Sequence, residues 1–209
     1  MFEKKSRTRM PARPAVVQRR GVERRKAILD AAEALLAEQG YASATLKAVG
    51  ERAGIPVASV YHYFSDRHEV DAELLQRHMA ALDAALAASL ERPGADTPAG
   101  AVDSVIDPFL AYFRAHPGCA ELWFNGRAEA IDESVRAFDE ERAERLWRAL
   151  IERGRIRPDT PVLVLRIAFE AGGKLFDLAF RRSPGGDDES MAEARRLLTA
   201  YLATYAPGE

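Results

Sequence analysis

Residues 45–64 read TLKAVGERAGIPVASVYHYF and predict two short helices joined by a tight turn. Thr45 is a suitable N-cap for the first helix. The inward positions of that helix are three and four residues apart: Leu46, Val49 and Ala53. Gly54 ends the helix because only glycine takes positive φ without strain, and Pro56 suits the start of the next helix. Two short helices around a glycine turn are the plan of a helix-turn-helix.

The second helix carries hydroxyls and aromatic rings where a plain surface helix would carry Lys and Glu. Val60 and Phe64 are four residues apart and are predicted to face inward. The remaining side chains can bond phosphates or base edges in a major groove: Ser59, Tyr61, His62 and Tyr63. The spacing alone also fits an amphipathic hairpin with a polar outer face.

Charge is distributed unevenly along the 209 residues, although the net charge is only −2. The first 70 residues hold 13 Lys/Arg and 8 Asp/Glu, and the remainder hold 17 and 24. A basic small part attached to an acidic large part indicates a polyanion partner for the first only. The alternative is a solvated charge bias without a partner.

The run AGIPVASVYHYFSDRHEV, residues 53–70, resembles the recognition region of the TetR family of bacterial transcriptional regulators. The matching positions are Ala53, Gly54, Ile55, Ser59, Val60, Tyr61, Tyr63, Phe64 and Arg67. The resemblance covers about residues 27–75. Pro56 departs from it by replacing the usual N-cap serine, and Val57 stands where many members have a polar or basic residue.

The resemblance implies a transcriptional regulator, most often a repressor, whose dimer binds a palindromic double-stranded DNA operator. Helix N-termini attract phosphates, which favours contacts near residues 45–47. We predict phosphate contacts from Thr45, Lys47, Ser59, Tyr63 and Arg67. We predict base contacts from Val57, Tyr61 and His62.

The whole chain is predicted to be all-α, because no segment alternates in hydropathy as a strand would. Residues 1–21 form a basic, disordered arm that either contacts DNA or only aids solubility. Residues 22–66 form the helix-turn-helix domain, a head of three helices. Residues 67–209 form a helical effector-binding and dimerisation domain, joined to the head by a long helix. The helices are predicted at 22–39, 67–90, 101–115, 119–130, 134–153, 161–180 and 188–205.

Aromatic residues concentrate in the predicted body, where the resemblance implies a small-molecule effector site. The predicted effector-binding residues are Phe109, Phe113, Trp123, Asn125, Arg127, Trp147, Phe169 and Phe176. Large apolar walls with few polar groups suit a small hydrophobic effector, with Arg127 available for an acidic group. The alternative is that these aromatic residues are core.

The segment 161–180 is apolar nearly all round, which indicates burial on more than one side. In the resembled family, the last two long helices form a four-helix dimer interface. We therefore predict a homodimer through Leu163, Ile167, Leu178, Leu197, Leu198 and Tyr201. The alternative is a helix at the centre of a monomeric bundle.

Several function classes find no support in the sequence. No apolar run approaches the roughly 20 residues of a membrane span, and Cys119 has no disulfide partner, so we predict a cytoplasmic protein without a membrane partner. No catalytic motif, cofactor motif or complete set of metal ligands is found. His116 and Cys119 are close along the chain, but two ligands alone are too few for a metal site. Asp139 and its acidic neighbours are predicted on an exposed face. Two alternative functions are a ligand-independent DNA-binding protein whose body docks a protein partner, and an enzyme with an incidental head.

Overall fold

The computed structural model describes residues 14–91, 97–126 and 129–207, and all regular structure in them is helical. This confirms the all-α prediction. The helices are α1 Pro14–Gln39, α2 Leu46–Ala53, α3 Val57–Val60, α4 Arg67–Leu90, α5 Pro98–Ala115, α6 Pro117–Asn125, α7 Glu129–Glu152, α8 Leu163–Arg182 and α9 Asp188–Ala203. One 3-10 turn spans Tyr41–Ser43. We call α1–α3 the head, α5–α9 the body and α4 the connector.

The first helix begins earlier than the sequence predicts. It starts at Pro14 rather than near residue 22, so residues 14–21, assigned to the arm, lie in α1. A proline is compatible with the first turn of a helix, and the Arg19–Glu23 ion pair at 3.1 Å supports the turn across Gly21. The rest of the predicted arm, residues 1–13, lies outside the described residues.

The helix-turn-helix forms as its local signals predict, except that its second helix, α3, ends at Val60 and residues 61–63 form a turn. The Thr45 hydroxyl accepts a hydrogen bond from the Ala48 N–H at 3.2 Å and caps α2. Gly54 takes φ 65°, and the Ile55 N–H donates to the Gly50 carbonyl at 2.9 Å to close the turn. The turn closes tightly on Gly50, where a Cβ would lie 2.9 Å from the Ile55 carbonyl oxygen.

The head and the connector share one apolar core. It contains Ile28, Leu35 and Leu36 of α1, Leu46 and Val49 of α2, Val60, Phe64, and Val70, Leu74 and Leu75 of α4. Val60 and Phe64 are fully buried, as their spacing predicts. Burial of these side chains fixes α3 and the turn after it against this core, and Val57, Tyr61 and His62 remain exposed on the surface.

The body is a bundle in which α8 packs on α7 and α9, and α5 packs on α4 and α9. Its core includes Phe109 and Phe113 of α5, Leu146 of α7, Leu165 and Phe176 of α8, and Leu202 of α9. Helix α6 ends at Asn125, five residues earlier than predicted, because Gly126 breaks the pattern. No helix among the described residues is long and apolar enough to cross a bilayer.

Head and body meet where α6 packs on α1. A Cβ on Gly118 would lie 2.3 Å from the Glu33 carbonyl oxygen, so the close approach of the two helices requires glycine. Nearby, the Tyr41 backbone N–H donates to the Glu121 carboxylate at 2.7 Å. Helix α6 therefore contacts the head through both packing and a charge-assisted hydrogen bond.

Candidate nucleic-acid interface and ligand cavity

The outer surface of the helix-turn-helix presents apolar, hydroxyl and imidazole groups to solvent. Val57 and Tyr61 are 41% and 56% exposed, and His62 is exposed as well. Thr45 and Lys47 are exposed at the start of α2, while Ser59 and Tyr63 are half-buried. Lys47 makes only a long 3.9 Å contact with Glu51 within its helix, which leaves its ammonium group available to an anion.

Arg67 differs from the other predicted phosphate contacts because its side chain is engaged inside the protein. Its guanidinium lies 3.6 Å from the centre of the Tyr41 ring and donates to the Tyr41 carbonyl oxygen. The Asp71 carboxylate lies 3.4 Å from its Nε and accepts a 2.8 Å hydrogen bond from the Tyr41 hydroxyl. Arg67 thus holds the start of α4 against the α1–α2 connection, and we remove it from the phosphate set.

A second arginine, Arg25 of α1, contacts the segment that follows α3. The Arg25 guanidinium lies 4.4 Å from the centre of the Phe64 ring and donates to the Tyr63 carbonyl oxygen at 3.1 Å. It also pairs with Glu73 of α4. Arg25 therefore links α1, the end of the helix-turn-helix and α4. No short motif predicts this contact, because Arg25 is 38 residues from Tyr63 and 48 residues from Glu73.

The body contains a small apolar cavity of about 80 Å³ among α5, α6, α7, α8 and α9. Four of the predicted effector residues line it: Phe109, Trp123, Phe169 and Phe176. Other lining residues are not predicted from the sequence, among them Val105, Phe124, Gly172, Leu198 and Leu202. None of the lining residues comes from α4, whereas α6 contributes Trp123 and Phe124.

The other predicted effector residues lie elsewhere. Phe113 is fully buried core, stacked edge-on against the Trp123 ring at 5.5 Å between centroids. The Trp147 indole N–H donates to the Thr160 carbonyl at 2.8 Å and stabilises the link between α7 and α8. Asn125 is exposed and donates to Glu121 at 2.7 Å, near the head. Arg127 lies outside the described residues.

Asp139 is a charged group in the cavity wall, which contradicts its predicted exposed position. The cavity adjoins a polar groove of about 470 Å³, and Trp123, Phe124, Asp139 and Gly173 line both. Burial, with a smaller contribution from the charge of Glu170, raises the pKa of Asp139 to about 7 against the opposing effect of Arg142. The other polar residues that line the groove are Asp132, Arg136, Glu170, Lys174 and Asp177.

An apolar surface runs along α8 and α9. Leu163, Ile167, Leu178 and Leu197 are between 43% and 58% exposed. Ile167 and Leu178 are eleven residues apart, about three helical turns, so they share one face of α8. Two other predicted interface residues differ: Leu198 is only 7% exposed and belongs to the core, while Tyr201 is half-buried beside Tyr205.

Two family models match the chain, and together they cover both the head and the body. The model described as "Bacterial regulatory proteins, tetR family" matches residues 28–74. The model described as "Tetracyclin repressor-like, C-terminal domain" matches residues 97–202, more than half of the chain.

Individual relatives agree with these matches. The transcriptional repressor AcnR of Corynebacterium diphtheriae is 26% identical over 191 residues, covering 88% of this chain and 94% of its own. The crystal structure of a TetR-family transcriptional regulator from Streptomyces coelicolor is 35% identical, with a TM-score of 0.65 and coverage of 87% and 99%. SmeT, the repressor of the Stenotrophomonas maltophilia multidrug efflux pump SmeDEF, is 25% identical, with a TM-score of 0.67 and coverage of 88% and 90%.

Proposed function

This chain belongs to the tetR family of bacterial regulatory proteins, and from that premise we propose that it is a repressor released from its operator by a small apolar effector. The observation that carries the proposal is the position of α6. This helix supplies Trp123 to the cavity wall and, two residues earlier, Glu121 to the head. A ligand that moves α6 therefore changes a contact that positions the head.

The DNA side of the proposal uses the exposed groups of the helix-turn-helix. Phosphates are assigned to Thr45, Lys47, Ser59 and Tyr63, and base edges to Val57, Tyr61 and His62. Two such heads in a homodimer would enter successive major grooves of a palindromic operator, about one helical turn apart. Arg25 and Arg67 act as positioning residues, because their guanidinium groups hold α3 and α4 in place. Binding to the chromosome would place the protein in the cytoplasm.

The size of the cavity supports a mechanism for release. A cavity of about 150 Å³ can hold benzene, whereas the cavity here measures about 80 Å³. A larger effector must therefore widen the space and displace a wall. The short helix α6 is the wall that also contacts the head. The other walls, α5, α7, α8 and α9, pack on one another or on α4. A coupling of about 1–3 kcal/mol would lower operator affinity by about 5- to 150-fold.

The carboxyl group of Asp139 in the cavity wall indicates which polar groups an effector can carry. Asp139 can accept a hydrogen bond when ionised and donate one when protonated, and it would repel an acid held beside it. An apolar compound with an amine or hydroxyl group therefore fits better than the acidic compound that Arg127 suggested. The amine or hydroxyl would lie at Asp139, and the apolar part would lie against Phe109, Phe169 and Phe176.

Dimerisation is assigned to the exposed apolar surface of α8 and α9. Leu163, Ile167 and Leu178 lie on α8, and Leu197 lies on α9. Leaving four large apolar side chains exposed on two packed helices is unfavourable in water, and a second copy of the chain would cover them. Leu198 is left out of this interface because it is buried within the protomer.

The two tryptophans allow a matched test of the cavity. In Trp147→Phe protein the remaining indole, Trp123, lines the cavity, whereas in Trp123→Phe protein the remaining indole does not. A panel of apolar amines, alcohols and acids is titrated into both proteins while fluorescence is recorded. An effector should quench or shift the fluorescence of Trp147→Phe protein and leave that of Trp123→Phe protein nearly unchanged.

The same compounds are then tested for release of operator DNA in a gel-shift titration. Wild type should release DNA, and Trp123→Ala should bind DNA normally but require more effector for release. If compounds bind the cavity without releasing DNA, the coupling through α6 is wrong. If no compound binds, the ligand-independent alternative, in which the body docks a protein, replaces the proposal.

A further inference from the structure

A second cluster of polar side chains lies at the junction of head and body, away from the effector cavity. It consists of Glu33 on α1, His78 on α4 and His116 between α5 and α6. One ligand atom from each residue lies within 4.8 Å of the others. Two imidazoles and one carboxylate are a common ligand set for zinc and other first-row transition metals.

Two of the three distances between these atoms are close to those in a metal site. The Glu33 carboxylate oxygen Oε1 lies 3.6 Å from Nε2 of His78 and 3.3 Å from Nδ1 of His116. Ligands at about 2.0–2.1 Å from a tetrahedral zinc ion are separated by about 3.3–3.4 Å. The 3.3 Å contact of His116 with Glu33 is a hydrogen bond, whereas the 3.6 Å separation from His78 is too long for one, so hydrogen bonding does not explain the approach of His78 to Glu33.

His78 supplies the observation that points to a ligand. The residue is only 2% exposed, and its Nε2 atom is buried without a hydrogen-bond partner. Its other ring nitrogen, Nδ1, lies 2.8 Å from the Tyr112 hydroxyl. When Nδ1–H donates to that hydroxyl, Nε2 presents a lone pair toward Glu33. In metal-bound histidines, the ring nitrogen that does not bind the metal usually makes such a hydrogen bond, which fixes the orientation of the ring.

The neighbouring charges orient Glu33. Arg77 pairs with Glu33 Oε2, which leaves Oε1 directed to the two histidines. Arg77 also bonds Asp30 at 2.7 Å, so its positive charge is shared between two carboxylates. Asp30 in turn bonds Lys26 at the surface. The close packing of Gly118 on the Glu33 backbone brings α1 next to His116.

We propose that Glu33, His78 and His116 bind a divalent first-row transition metal ion, with Zn²⁺ the best fit to the ligand types and spacing. Three protein ligands leave one position of a tetrahedral site open to water or a further ligand. Because the ligands come from the head, the connector and the body, the ion fastens these three parts together. The site thus provides a second input to DNA binding, separate from the apolar cavity.

The sequence alone did not reveal this site. Glu33 is 45 residues from His78, and His78 is 38 residues from His116, so no short motif contains the three ligands. Along the chain, Cys119 is the only other histidine or cysteine near His116, and two ligands are too few for a metal site. Cys119 is fully buried and is not among the atoms that converge. Folding brings together α1, α4 and the α5–α6 link, and only then do the three side chains meet.

The test is a titration of tag-free, metal-free protein with ZnCl₂ against a chromophoric zinc chelator. Wild type should bind about one Zn²⁺ per chain, as a three-ligand site predicts. His116→Gln and Glu33→Gln should each weaken binding by about tenfold or more, since each lacks one ligand. His68→Gln is the matched control, because His68 is an exposed histidine on the same helix as His78 and should bind like wild type.

Two further readouts separate loss of the site from loss of the fold. Circular dichroism should show that His116→Gln is folded, because this residue is only half-buried. Zn²⁺ should raise the Tm of wild type and of His68→Gln, and should raise that of His116→Gln less at the same Zn²⁺ concentration. Wild type that does not compete with the chelator, or His116→Gln that binds Zn²⁺ as tightly as wild type, would overturn the proposal.

Discussion

Replacing Gly118 by alanine tests the contact between α1 and α6 most sharply. The added Cβ would lie 2.3 Å from the Glu33 carbonyl oxygen and 3.0 Å from the Glu33 Cγ. Ordinary contacts of a Cβ begin at 3.4 Å, so the two helices must move apart by about 1 Å. The nearest atom belongs to the backbone, and a change of rotamer therefore cannot relieve the clash.

The expected change in stability is a difference of two effects. Overpacking a close contact destabilises a protein by about 1–3 kcal/mol. Alanine is more favourable than glycine within a helix by about 0.5–1 kcal/mol, which acts in the opposite direction. We expect a net destabilisation of about 1–2 kcal/mol. For a protein of this size that corresponds to a fall in Tm of about 2–8 °C.

The assay is thermal unfolding followed by circular dichroism, with Gly21→Ala as the control. Gly21 lies within α1, where an added Cβ meets nothing within 4 Å, so this variant should have an unchanged or higher Tm. Below the transition, Gly118→Ala should also bind operator less tightly or respond less to effector. A Gly118→Ala protein with the Tm of wild type or a higher one would show that α1 and α6 are not in such close contact.

Three other variants test separate parts of the account. Asp139→Asn should raise the free energy of unfolding by about 1–3 kcal/mol above pH 7, measured by urea denaturation. The pKa of Asp139 is raised to about 7, so the charged form is disfavoured in the folded state, and the difference between variant and wild type should disappear as the pH falls from 7 to about 4. Lys47→Ala should weaken binding to all DNA sequences alike and reduce the magnitude of the salt slope by about 1, measured by fluorescence anisotropy. Ile167→Glu should shift the mass in analytical ultracentrifugation from two chains to one, because it places a charge on the apolar face of α8.

The head could be predicted from the sequence because its signals are local. The Thr45 hydroxyl caps α2 by accepting a hydrogen bond from a residue three positions later. Gly54 ends α2, and Pro56 precedes α3. Val60 and Phe64 follow from helical spacing alone. The start of α1 was predicted too late, because the segment before residue 22 is rich in arginine and lacks an apolar stripe.

The body was harder to predict because its site depends on how helices rotate against one another. Trp123 and Trp147 are equally plausible cavity residues by composition, yet only Trp123 lines the cavity. Leu197 and Leu198 are adjacent, but a helix turns by about 100° per residue, so one is exposed and the other is buried. Asp139 lies on a helix with charges on several faces, and only tertiary packing shows which carboxylate is covered.

The central claim is that a dimer of this chain reads an operator through its exposed helix-turn-helix side chains. The most direct test is repeated selection of binding sequences from random double-stranded DNA with the purified wild-type protein, followed by sequencing. The account predicts an inverted repeat whose half-sites are about one helical turn apart. Selection with His62→Ala protein should change the preferred bases within the half-site and keep its spacing. A protein that enriches no sequence, or enriches one without two-fold symmetry, would contradict the account.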